Sequence, residues 1–195
     1  MLSYPLEIGF KIVTIGTRIR VTDATGQQIA YVRKKKFKLK EDVMVYENED
    51  QNRLRLRLKA DRVIDFSAKY VVTGPNGESI GAVGRQGMRS LWKSAYSLVD
   101  ANGSEIGSIH EENAWVKVLD GLMEAIPFGD ALGGMFFHPA YLVDVRGETV
   151  LRVQKERSIF ESKFTIQKRG DFSEKEEELM LAGAIMMILL ERDRG

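Results

Sequence analysis

The chain contains no cysteine in 195 residues. Disulfide staples, cysteine-ligated zinc and thiol nucleophiles are excluded, and a reducing compartment fits. Histidine is scarce, with only His110 and His138. "HEEN" (110–113) lacks the second histidine of a zincin helix, because Ala114 stands there. No nucleophile elbow is present, so no catalytic triad is legible. Proline occurs four times, and no linker or low-complexity tract divides the chain, which reads as one domain over 1–195. The opening residues carry Glu7 and Lys11 and do not read as a secretory signal.

Net charge is also small, at +1, but unevenly spread. Residues 1–98 hold 18 Lys and Arg against 10 Asp and Glu, while 99–195 hold 11 against 18. Such asymmetry is an electrostatic cue for a basic face that meets anionic surfaces.

What is present is a recurring hairpin. "VTDATGQQIAYV" (21–32), "VTGPNGESIGAV" (72–83), "LVDANGSEIGSI" (98–109) and "LVDVRGETVLRV" (142–153) each run from an apolar strand into a polar turn with a glycine. Three residues after Gly26, Gly77, Gly103 and Gly147 come Ile29, Ile80, Ile106 and Val150. The glycine supplies the positive φ of a tight turn, and the β-branched residue opens the returning strand. "NRLRLRLK" (52–59) alternates leucine with basic residues, the period of a half-buried strand. Segments 34–50, 62–72, 90–99 and 161–168 add strands, giving ten to twelve. "NAWVKVLDGLMEAI" (113–126) has helical spacing, and 127–139 reads as a glycine-rich apolar loop that plugs a barrel mouth.

The last segment decides the architecture. Ser173 with Glu176 forms a capping box, and a helix is expected over 174–192. Its apolar run, Leu179 to Leu190, is 12 residues, about 18 Å of helix against roughly 30 Å of hydrocarbon. It is too short to cross a bilayer and apolar on every face, so protein must enclose it. About twelve tilted strands closed into an antiparallel barrel would leave a radius of roughly 12 Å, enough for one helix. Gly183, with Ala182 and Ala184, marks the closest approach of a strand.

These features resemble the tubby C-terminal-like superfamily, which includes tubby domains, phospholipid scramblases and LURP-one-related proteins. The similarity is strongest to the LURP-one-related branch. It lies in "GRQGMRSLWKSAYSLVDANGSEIGSI" (84–109), in residues 151–195 and in the repeated hairpins. The resemblance implies a closed antiparallel barrel threaded by the C-terminal helix. It also implies that such a barrel can present basic residues to lipid phosphates.

Candidate ligand residues are Lys34, Lys36, Lys38 and Lys40, on one side of a strand opposite Phe37 and Leu39. Arg53, Arg55 and Arg57 would form a second basic row if the two strands pair. Asp171, Glu174, Glu176 and Glu178 stand where scramblases are proposed to bind calcium, but the spacing lacks a calcium loop and capping explains these acids. "DANGSE" (100–105) reads as a turn. No cofactor or metal is expected.

The function expected is non-enzymatic binding, with anionic phospholipid or phosphoinositide head groups as ligand, in a cytoplasmic protein that meets membranes peripherally. No nucleic-acid partner is expected. The alternative is a protein-interaction module that docks partners through 113–126 and the loop after it, with Phe136 and Phe137 as contacts.

Overall fold

The computed structural model describes residues 1–13, 16–35, 42–61, 69–85, 95–112, 139–156 and 162–192. The strands are β1 (Leu6–Val13), β2 (Gly16–Thr22), β3 (Gln28–Lys35), β4 (Asp42–Tyr46), β5 (Leu54–Ala60) and β6 (Lys69–Thr73). They continue as β7 (Ser79–Arg85), β8 (Ala95–Asp100), β9 (Glu105–Glu111), β10 (Ala140–Val145), β11 (Glu148–Glu156) and β12 (Ser162–Lys168). Each pairs antiparallel with its neighbours in sequence, and β1 pairs with β12 to close a barrel. Helix α1 (Glu174–Arg192) runs inside it.

Period-two patterning decides which side chains face the helix. Leu6, Ile8 and Phe10 of β1, Ile19 and Val21 of β2, and Leu56 and Leu58 of β5 are buried, while Glu7, Arg18, Arg20 and Lys59 are exposed. On α1 every residue from Leu179 to Leu190 is buried, as a uniformly apolar helix requires. Each large side chain there contributes roughly 1.5–3 kcal/mol of burial. No described helix is long and apolar enough to cross a membrane. A Cβ built on Gly183 would lie 2.8 Å from Ile109 Cδ1 and 3.1 Å from Leu98 Cδ2. The helix thus packs chiefly against β7 and β8, with Leu98 of β8 and Ile109 of β9 filling the space beside its only glycine.

The turn glycines Gly26, Gly77, Gly103 and Gly147 all have φ between +82° and +87°. The residue three places later does more than open the returning strand. In each of these hairpins the register slips there, leaving Ile29, Ile80, Ile106 and Val150 as the extra residue of a β-bulge. The slip puts each of them in or against the core. The β4–β5 hairpin has the same bulge, with Arg55 in that position. Five bulged residues thus ring the end of the barrel where α1 enters.

The segment expected as one strand over 34–50 is two: Lys35 ends β3 and Asp42 begins β4. The expected helix 113–126 and the loop with Leu132, Met135, Phe136, Phe137 and His138 lie outside the described residues.

Candidate functional site

The first turns of α1 carry four acids, and each is tied to a different part of the rim. Glu176 accepts from the Ser173 backbone N–H at 2.7 Å and the Ser173 hydroxyl at 2.9 Å, the capping box read from the sequence. Its other oxygen lies 2.7 Å from Arg146 of the β10–β11 turn. Burial pushes the Glu176 carboxyl up, but the Ser173 bonds and Arg146 outweigh it and hold the pKa below the usual range. Glu177 accepts from the Leu2 N–H at 3.0 and 3.1 Å. Burial, and then the nearby Glu177 carboxylate, raise the pKa of Tyr4. Glu174 meets the Met1 amino group at 3.2 Å. Glu178 receives Arg55, whose Nε lies 3.1 Å away, while Arg55 Nη1 donates to the Ile29 carbonyl at 2.8 Å. The acids of its first turns fasten the helix to the barrel. Among the described residues no three His, Asp or Glu side chains converge on a metal position.

Strand β4 lies between β3, which carries Lys34, and β5, so the described end of the lysine row does not abut Arg55 and Arg57. Lys34 belongs to β3 and pairs with Thr17, two places beyond the buried Val32. Lys36, Lys38 and Lys40 lie outside the described residues. The arginine row of β5 is broken by its bulge, which turns Arg55 to the mouth. Arg53 is 3.1 Å from Glu47, and Arg57 grips Asp42 at 2.9 and 2.6 Å. That bidentate hydrogen bond holds the Asp42 carboxyl below its usual range. All three arginines thus carry acidic partners.

Cations without such partners lie elsewhere. Arg18 of β2 stands directly opposite Arg33 of β3, and Lys11 of β1 is opposite Arg18 on the other side. Arg18 and Arg33 are exposed, and among the described residues neither has a carboxylate in ion-pair distance. One row along, Tyr31, Arg20, Gly9, Lys163 and Glu156 follow one another across β3, β2, β1, β12 and β11. Here the outer wall holds a depression of about 470 Å³ with Gly9 at its floor. Arg20 is ion-paired to Glu49 on its rim. The signal for this face was present in "TRIRVT" (17–22), which alternates Arg18 and Arg20 with Ile19 and Val21.

Other described polar groups hold one another within the barrel wall. His110 Nε2 lies 2.8 Å from Asp144, its Nδ1 faces the Glu111 carbonyl at 3.2 Å, and Thr149 donates to Asp144 at 2.7 Å. Both ring nitrogens thus face oxygen atoms of the barrel itself. Asp100 accepts from the N–H groups of Asn102 and Ser104 at 2.9 and 2.8 Å, closing "DANGSE" as a turn. Arg152 grips Glu112 at 2.7 to 3.1 Å and holds that carboxyl below its usual range.

No family model, no curated protein and no solved structure matches the chain.

Proposed function

We propose that the chain is a non-catalytic binding barrel of the LURP-one-related kind, and that the outer face of β1, β2 and β3 receives the phosphates of anionic phospholipid head groups. Membership of that family is supported by the closed twelve-strand barrel with its C-terminal helix inside. The observation that carries the binding site is the facing pair Arg18 and Arg33. Like charges directly opposite on neighbouring strands are destabilising. This fold supplies carboxylates to Arg20, Arg53, Arg55, Arg57, Arg146 and Arg152. It leaves Arg18 and Arg33 facing each other. A phosphate between them removes the repulsion and accepts both planar guanidinium forks.

Lys11, beside Arg18 in the register, and the run Lys34, Lys36, Lys38 and Lys40, following Arg33 in the chain, add long-range attraction to a negatively charged leaflet. Binding on this reading is peripheral, at the cytoplasmic leaflet where anionic lipids concentrate.

Vesicle sedimentation tests it, using phosphatidylcholine alone, with added phosphatidylserine, and with added phosphoinositide, at low and physiological salt. The protein is expected to sediment with the anionic vesicles and to be released by salt. The Arg18→Glu/Arg33→Glu variant should weaken sedimentation about tenfold or more, since each basic residue near such a surface is worth about 1 kcal/mol. Lys59→Glu/Lys69→Glu, on exposed positions of β5 and β6, is the comparison for general charge. Sedimentation with no composition, or equal loss in both variants, would overturn the proposal.

A further inference from the structure

The depression beside Arg18 is not simply basic. Its walls carry two cations and two carboxylates that lack an opposite charge in ion-pair distance among the described residues: Arg18, Lys163, Glu7 and Glu156. Lys163 and Glu156 stand opposite each other across β12 and β11 without closing an ion pair. Elsewhere on the barrel exposed opposite charges do close, as Arg53 with Glu47 and Arg57 with Asp42.

The floor is equally specific. Gly9 sits inside β1 between Arg20 and Lys163, and a Cβ there would meet nothing closer than the Arg20 carbonyl at 3.9 Å. Glycine inside a strand loses stability and often marks a place where another group approaches closely. No protein atom makes that approach here, so the space is open for a ligand. Its volume, about 470 Å³, falls in the roughly 300–1,000 Å³ range of small-molecule sites.

We infer that this depression binds a ligand carrying a phosphate and a primary ammonium together, the phosphate held by Arg18 and Lys163 and the ammonium by Glu7 and Glu156. The inference rests on the anion-binding reading of the same face and shares Arg18 with it, but its phosphate lies on the other side of Arg18, in a depression that Arg33 does not line. A primary ammonium offers three N–H donors to carboxylates, whereas a quaternary ammonium offers none and needs aromatic faces around it. Tyr31 and Phe164 also line the depression, but the carboxylates of Glu7 and Glu156 favour the N–H donors of phosphoethanolamine-type groups over phosphocholine-type groups. Thr22 and Thr165, which flank Glu7 on the neighbouring strands, add hydroxyls beside the ammonium position.

The same group occurs as a lipid head group and as a free phosphomonoester, and two arms of one experiment separate these sources. In solution, calorimetric titration compares inorganic phosphate, O-phosphoethanolamine and phosphocholine. On membranes, sedimentation compares phosphatidylcholine vesicles with and without phosphatidylethanolamine. O-phosphoethanolamine is expected to bind at least about fivefold more tightly than phosphate or phosphocholine, the scale of one charge-assisted contact. The exposed Glu7→Gln/Glu156→Gln variant should bring the affinities for phosphate and O-phosphoethanolamine together. Gly9→Leu should abolish both, with circular dichroism reporting its fold. Binding on vesicles alone assigns a lipid source, and binding in solution alone assigns a free one. Equal affinities in the native protein, or a preference that survives in the double glutamine variant, would overturn the inference. If anionic vesicles bind while no soluble ligand and no phosphatidylethanolamine effect is seen, the inference fails and the proposed function stands. If nothing binds in either arm or to anionic vesicles, both fail.

Discussion

Arg55 occupies the bulge that isoleucine or valine fills in the other four hairpins at this end of the barrel, and from there its guanidinium reaches Glu178 of the helix. Its side chain is 17% exposed and that of Glu178 26%, so the pair is largely withdrawn from water. Because Arg55 also donates to the Ile29 carbonyl, one residue joins the β4–β5 hairpin, the neighbouring bulge and the helix. Removing one partner of such a pair strands the other.

Arg55→Ile should therefore cost about 2 kcal/mol, although it restores the side chain found at the equivalent bulges. Combining it with Glu178→Leu should recover most of that loss. Urea denaturation of the two single variants and the double variant gives the coupling, expected at about 1–3 kcal/mol. Additive losses would show that the pair contributes nothing beyond its separate contacts.

The approach of the helix to the wall at Gly183 predicts a steep size dependence. Gly183→Ala pushes against Ile109 Cδ1, the movable end of a side chain, while gaining up to about 1 kcal/mol of helix propensity. Its stability should stay within about 1 kcal/mol of the native protein. Gly183→Leu has no such room and should lose about 3 kcal/mol or more. Thermal unfolding of both variants checks the contrast.

Acid should loosen the molecule through three carboxylates. Arg57 holds Asp42 below the ordinary range, Arg152 does the same for Glu112, and Ser173 with Arg146 does so for Glu176 against the effect of burial. A depressed folded-state pKa gives stability that is present above the unfolded value and lost as pH falls through the folded one. Melting temperature should be flat near neutrality and fall in acid. Asp42→Asn/Glu112→Gln should start lower and fall less steeply, and an unchanged slope would remove those groups as the cause.

The facing arginines predict a trade between stability and binding. Arg33→Glu places a carboxylate opposite Arg18 and should raise the melting temperature by about a degree or two. The same change should weaken sedimentation with anionic vesicles. A fall in both, with normal circular dichroism, would show that Arg33 holds the fold rather than a ligand.

Much of the barrel is legible in the sequence because its signals are local. The turn glycines, the capping box of Ser173 and Glu176, and a helix too apolar for any surface are read from neighbouring residues. The bulges are not, since an extra residue is defined only against the strand it pairs with. Four left a trace as the β-branched residue after the glycine. The fifth was hidden because Gln51, at φ 57°, takes the left-handed position in the β4–β5 turn and Arg55 looked like one of a solvent row. The partners of the helix acids were hidden for the same reason, with Arg55 and Glu178 separated by 123 residues. The candidate face was only half legible. Alternation in 17–22 marked Arg18 and Arg20, but the meeting of Arg18 with Arg33, and of Gly9 with Lys163, depends on strand register.

The pairing of β1 with β12 also sets an order of events on the ribosome. The first strand made must wait for the last before its free edge is covered, and the inner faces of all twelve stay wet until the terminal helix emerges. Contacts so distant along the chain make for slow maturation and a long exposure of sticky edges. A nascent chain arrested before residue 174 is accordingly the species that a chaperone would have most reason to hold.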